Sequence, residues 1–107
     1  MPNLGEFEEV VLLAVLRLDD DAYAIPIRDE IRRRARRRVA RGALYTALER
    51  LEDKGLVSSR MGEPLPERGG RSRRYFKLTA RGLAALRVSR RARLELWEGL
   101  EAVLGKS

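Results

Sequence analysis

The run Gly62-Glu63-Pro64-Leu65-Pro66-Glu67-Arg68-Gly69-Gly70-Arg71 is turn chemistry, and neither a helix nor a central strand can pass through it. Two short strand-like stretches flank it. Residues 56–61 set Val57 among small polar residues, and residues 73–78 place Tyr75 and Phe76 on opposite faces. Together they read as one β-hairpin with a long basic tip. Nearly everything else in the chain follows a helical period. The expected fold class is therefore mainly α with a small β-hairpin.

Four helical runs surround the hairpin in sequence. In residues 4–18, Phe7, Val11, Ala14 and Leu18 fall at helical spacing, while Val10, Leu12, Leu13, Val15 and Leu16 make the second half apolar nearly all round. Such a helix is covered from two sides, and in so small a domain the second cover can be another subunit. Glu6, Glu8 and Glu9 suit the positive end of its dipole. Asp19-Asp20-Asp21 then makes a turn, with Asp21 as the expected cap of a second helix over residues 23–37. Pro26 falls in the first turn of that helix, where a missing N–H is harmless. Ile27, Ile31 and Ala35 mark its apolar stripe, surrounded by Arg32, Arg33, Arg34, Arg36, Arg37 and Arg38. Residues 40–54 form a third helix with Leu44, Leu48 and Leu51 inward, closed by Gly55. After the hairpin, Thr79 caps a last helix over residues 80–104, where Leu86, Ser89, Ala92, Leu96, Leu100 and Val103 lie near one stripe. Little is left for that stripe to cover within the chain, so a two-fold partner is expected.

Length and composition narrow the function. The chain has 107 residues, which is one domain's worth, and it contains neither His nor Cys. That removes imidazole bases, thiol nucleophiles, zinc clusters and disulfides, and leaves no acid–base or nucleophile constellation for an enzyme. No cofactor or metal is expected. The net charge is +7 and the isoelectric point is near 10.7, which points to an anionic partner. The charge is segregated: residues 1–21 hold six acids and one base, whereas residues 22–50 hold nine bases and three acids. A single positive face follows from that layout. The longest apolar run, residues 10–16, is too short to span a bilayer, so no membrane partner and a cytoplasmic location are expected.

Helix, turn, helix, then a third helix with polar residues at its start is the logic of a helix-turn-helix, and a hairpin after it is a wing. The sequence resembles the PadR family of bacterial transcriptional regulators over residues 4–104. The resemblance rests on Leu4-Gly5-Glu6-Phe7-Glu8, on Asp21-Ala22-Tyr23-Ala24, and on the run from Gly42-Ala43-Leu44-Tyr45 to Glu49-Arg50-Leu51. Lys54-Gly55-Leu56-Val57, Glu67-Arg68-Gly69-Gly70-Arg71 and Arg74-Tyr75-Phe76-Lys77-Leu78-Thr79 with Gly82 complete it. The single C-terminal helix resembles the small subfamily. Residue 24 is Ala where the family often has Gly, and Pro26 follows in the same turn.

The resemblance implies a winged helix-turn-helix over residues 1–79 and a C-terminal dimerisation helix over residues 80–107, packed on the same domain. It implies a homodimeric regulator, a repressor by family habit, binding a palindromic stretch of double-stranded DNA. Arg41, Thr46 and Arg50 would be presented to DNA, with Lys77 on the wing strand and Arg68, Gly69, Gly70 and Arg71 at the wing tip. Tyr45 and Tyr23 have open roles: each is a phosphate-bonding hydroxyl or a packing ring. The pairing surface would draw on Phe7, Val11, Leu86, Leu96, Leu100 and Val103. Trp97 and Leu94 are filler at that surface or, by resemblance, line a pore for a planar small-molecule effector, with Glu98 and Glu101 nearby to favour cationic compounds. The competing reading is a winged-helix adaptor for partner proteins with only nonspecific nucleic-acid affinity. An RNA-binding role lacks the paired exposed aromatics that stack single-stranded bases.

Overall fold

The computed structural model describes residues 4–64 and 72–105. Helix α1 (Glu6–Leu18) opens where Glu8 folds back, its Oε1 accepting from the Gly5 N–H at 2.9 Å. Val11, Leu12 and Val15 are buried to within 1% of their surface, and they form the centre of the core. Leu13 and Leu16, on the other side, remain about half exposed at 45% and 46%. The chain itself therefore covers one side of this doubly apolar helix and leaves the other open.

A 3-10 turn (Asp19–Asp21) leads into helix α2 (Ala24–Ala35). The expected Asp21 side-chain cap is not formed. Tyr23 holds the N-cap position without a side-chain bond, and Asp21 contributes its backbone carbonyl to the Tyr23 N–H at 3.1 Å. The helix stops at Ala35 rather than at residue 37, because Arg36 adopts the left-handed conformation with φ 53°. That residue turns the chain toward Val39, whose carbonyl accepts from Arg28 Nε at 3.0 Å.

Helix α3 (Arg41–Asp53) buries Leu44, Leu48 and Leu51 completely. Its end is a paired closure: Gly55 N–H donates to Glu52 O and Leu56 N–H to Leu51 O, both at 2.9 Å. Gly55 sits at φ 76°, the left-handed geometry this closure requires. Strands β1 (Val57–Pro64) and β2 (Ser72–Leu78) pair antiparallel, with Ser59 opposite Phe76 and Arg60 opposite Tyr75. The free edge of β2 is partly occupied, since Phe76 N–H donates to Ala22 O at 2.8 Å.

Helix α4 (Ala80–Trp97) begins at a tight junction. Thr79 Oγ1 accepts from the Gly82 N–H at 3.0 Å and donates to Gly55 O at 2.6 Å, so one hydroxyl caps α4 and ties it to the end of α3. A side chain at Gly82 would run into the Leu56 carbonyl oxygen. Ala85 and Leu86 complete the buried part, and from Arg90 onward every residue of the helix is exposed. The expected single helix over residues 80–104 is broken. Gly99 takes φ 83°, and a short helix α5 (Glu101–Leu104) follows. Leu100 and Val103 therefore do not continue the stripe of Leu86 and Leu96.

Candidate nucleic-acid interface

Ion pairing sorts the arginines. Glu30 is buried at 7% exposure and gathers Arg17, Arg33 and Arg34 around one carboxylate. Arg32 lies 3.5 Å from Asp29, and Arg37 crosses to Glu6 at 2.7 Å. Glu8 holds Lys54 at 2.7 Å, Glu9 holds Arg93 at 2.6 Å, and Glu52 holds Arg74. Among the described residues, Arg36, Arg38, Arg41 and Arg50 are exposed and have no carboxylate within ion-pair reach. Four arginines of the basic run are thus neutralised by the chain's own acids. Arg60, Arg81, Arg87, Arg90 and Arg91 are likewise exposed and unpaired among the described residues, on the wing and α4. Within the helix-turn-helix the unpaired charge lies in the turn between α2 and α3 and on the outer side of α3.

The outer side of α3 presents Arg41, Gly42, Ala43, Thr46, Glu49 and Arg50, opposite the buried leucines. Arg41 and Thr46 lie in its N-terminal half, with Arg50 one turn beyond, as the sequence pattern predicts. A side chain at Gly42 would meet nothing within 4 Å, so the helix is open there. Tyr45 is half-buried and packs on the core, which anchors its ring. Tyr23 is also half-buried, with its ring centroid 5.3 Å from that of Tyr75. On β2, Arg74 turns inward to Glu52, so Arg73 and Lys77 take the opposite face. The expected contacts Arg68, Gly69, Gly70 and Arg71 lie outside the described residues.

Two carboxyls in this network titrate below the ordinary glutamate value of 4.5. At Glu8, burial pushes the carboxyl up, but the Lys54 ammonium, the Gly5 N–H and the nearby Arg50 charge together outweigh it. At Glu30, hydrogen bonds from Arg33 and then Arg34 lower it against a smaller effect of burial. A lowered folded value means the stabilisation is complete above about 4.5 and is withdrawn as pH falls through the lowered values. Thermal midpoints should therefore stay level from about pH 7 to about pH 5 and drop as pH falls below about 4.5. Glu8→Gln should lose part of that drop; an identical acid profile in the variant contradicts the assignment.

The expected pairing surface needs correcting. Val11 is completely covered by its own chain and Leu86 is 92% covered, so Val11 has no surface to offer a second copy and Leu86 only an edge. Phe7 lies half-buried beneath Arg37, at 4.9 Å. Leu13 and Leu16, part of the all-round apolar half of α1 expected to need a second cover, face the open side. With Leu83, Leu86, Leu94 and Trp97 they line a cleft of about 550 Å³ between α1 and α4. Its polar residues are Arg87, Arg90, Arg93 and Glu9. Glu98 and Glu101 line an adjoining hollow that shares Arg87, Arg90 and Leu94 with this cleft. Among the described residues no helix is long and apolar enough to cross a membrane.

Two helices joined by a short turn, unpaired arginines in that turn and at the start of the second helix, and a two-stranded wing behind it define a winged-helix DNA-binding protein. The model of the transcriptional regulator PadR-like family matches residues 12–88, and the chain belongs to that family. The chain is similar to a PadR-like transcription factor from Bacteroides fragilis, at 30% identity and a TM-score of 0.75, over 91% of this chain and 88% of that one. A PadR family transcription regulator from Clostridium difficile is similar at 24% identity and a TM-score of 0.72, over 92% and 99% of the two chains. For a PadR-like transcriptional regulator from Bacillus cereus the values are 17% and 0.73, over 94% and 93%. These last two speak to the fold alone. No curated protein matches the chain. Family and fold make this a DNA-binding transcriptional regulator, in a family whose members are generally not enzymes.

Proposed function

We propose that the protein is a homodimeric repressor that reads a palindromic operator, with residues 1–79 binding DNA and residues 80–107 joining two copies. The observation that carries the DNA-reading part is the set of exposed, carboxylate-free arginines at the start of α3 and in the turn before it. A helix fits the major groove, and its first residues reach base edges while flanking arginines neutralise phosphate. Arg41, Thr46 and Arg50 take the base-facing role; Arg36 and Arg38 take phosphates.

The pairing part rests on unsatisfied apolar surface. Leu96 is 77% exposed and Val103 79%, and Leu94, Leu100 and Leu104 are each at least 45% exposed. Trp97 at the end of α4 and Leu13 and Leu16 on α1 continue this surface. A second copy packed in a two-fold manner covers it and sets two α3 helices at a fixed spacing. The same cleft, with half-exposed Trp97 as one wall, is the place for a planar effector, and Arg87 and Arg90, unpaired among the described residues, favour an anionic one. An effector that binds one spacing of the α3 helices better than another changes operator affinity by that difference.

The test is selection of bound fragments from genomic DNA by the purified chain. The expected product is an inverted repeat with half-site centres about one helical turn, roughly 10 base pairs, apart. Recovery of fragments with no shared sequence favours the adaptor reading. Quenching of Trp97 fluorescence by planar carboxylates tests the effector site, and an unchanged spectrum across such a panel contradicts it.

A further inference from the structure

Four arginines among the described residues lie over aromatic rings. Arg37 is 4.9 Å from the Phe7 centroid and Arg74 is 5.1 Å from Phe76. Arg60 is 4.6 Å from Tyr75 and Arg73 is 4.4 Å from Tyr23. A guanidinium has two separate modes of recognition, since its plane stacks on a ring while its edge carries the N–H donors. The edges of Arg37 and Arg74 are already occupied by Glu6 and Glu52. Arg60 and Arg73 have no carboxylate within ion-pair reach among the described residues, so their edges are open.

These two arginines share one support. Tyr23 and Tyr75 meet at 5.3 Å and 59°, so Arg60, Tyr75, Tyr23 and Arg73 run in sequence across the outer face of the hairpin and the start of α2. Gly62 makes room for this arrangement, because a Cβ there would lie 2.5 Å from Tyr75 Cε1. Asp19 and Asp20 line a hollow together with Arg60, Tyr75 and Lys77, but neither aspartate comes within ion-pair reach of Arg60. Stacking restrains both side chains before any partner arrives, so less rotamer freedom is lost when their edges engage. Two fixed guanidinium edges suit phosphate oxygens, which accept paired N–H donors.

We propose that Arg60 and Arg73, mounted on the Tyr75–Tyr23 pair, form a second backbone-phosphate contact for double-stranded DNA beside the recognition helix α3. The proposal rests on the reading of the chain as a DNA-binding regulator. Tyr23 caps the start of α2, the first helix of the helix-turn-helix, and β1, which carries Arg60, packs against α3. Phosphate contacts position a protein on the duplex without reading sequence.

The experiment uses the full chain, a genomic duplex selected by the wild-type protein, and an unrelated duplex of equal length, each titrated across a salt series. Arg60→Gln with Arg73→Gln should weaken both duplexes about equally, by roughly tenfold or more, and lower the salt slope by about 3–4, two contacts from each of two chains. Tyr75→Leu keeps both charges, so it should weaken binding several-fold with the slope unchanged. Unchanged affinity and slope in the double variant, while wild type binds, overturn this proposal alone. A loss confined to the selected duplex overturns the phosphate assignment, and unchanged affinity in Tyr75→Leu overturns the stacked support. Wild-type protein without salt-dependent binding overturns both the proposal and the regulator reading.

Discussion

Gly82→Ala is expected to destabilise the fold by about 2–3 kcal/mol, the range for forcing one extra methyl into a packed site. For a domain this size that lowers the thermal midpoint by roughly 10–15 °C. The added Cβ meets the Leu56 carbonyl oxygen, which is backbone and already accepts from the Thr79 N–H at 3.1 Å. It cannot rotate away as a side chain would. Relief requires α4 to lift, and lifting α4 separates Thr79 from Gly55 and uncovers Ala85 and Leu86. Gly42→Ala is the matched control, since a Cβ there meets nothing within 4 Å, and its midpoint should stay level or rise. Equal midpoints for Gly82→Ala and wild type would mean that the α4 junction is looser than described.

The second large effect concerns binding. Replacing Arg36, Arg38 and Arg41 together with Gln should leave the midpoint nearly unchanged, because none of the three has a carboxylate partner. Duplex affinity near 0.1 M salt should fall by roughly a hundredfold to a thousandfold, and the salt slope should decrease by about 4–5 with two chains on the duplex. Arg33→Gln with Arg34→Gln is the comparison, because both side chains are held by the Glu30 carboxylate. Removing them should affect binding far less per charge while weakening the fold. An equal loss per charge in the two variants would show that net charge, rather than the placement of unpaired arginines, drives association.

Much of this was legible in the sequence, for physical reasons tied to short range. The Leu44, Leu48 and Leu51 spacing, the Gly55 closure, the Thr79 cap and the hairpin around Gly62 depend on residues a few positions apart. The family resemblance read from those runs agrees with the matched residues 12–88. Counting apolar positions on α1 and α4, however, could not tell which side the chain itself would cover. Val11 and Leu86 were therefore assigned to a partner, whereas Leu13 and Leu16 face outward. The left-handed turns at Arg36 and Gly99 also shortened two helices that periodicity alone carried further.

The arginines were least legible. A run of six reads as uniform in sequence, yet its partners come from Glu6 in α1 and from Asp29 and Glu30 in α2. Only the tertiary arrangement separates Arg36 and Arg38 from their neighbours. In the sequence Arg60 is a lone base among small polar residues, and its position over Tyr75 depends on strand register.

Every functional step proposed above requires two α3 helices carried at a fixed distance, and sedimentation equilibrium of the full chain, alone and with a selected duplex, addresses that directly. The expected result is a species of twice the 12.2 kDa chain mass in solution, and two chains on each duplex. A 12.2 kDa particle at all concentrations, binding one per duplex, would contradict it.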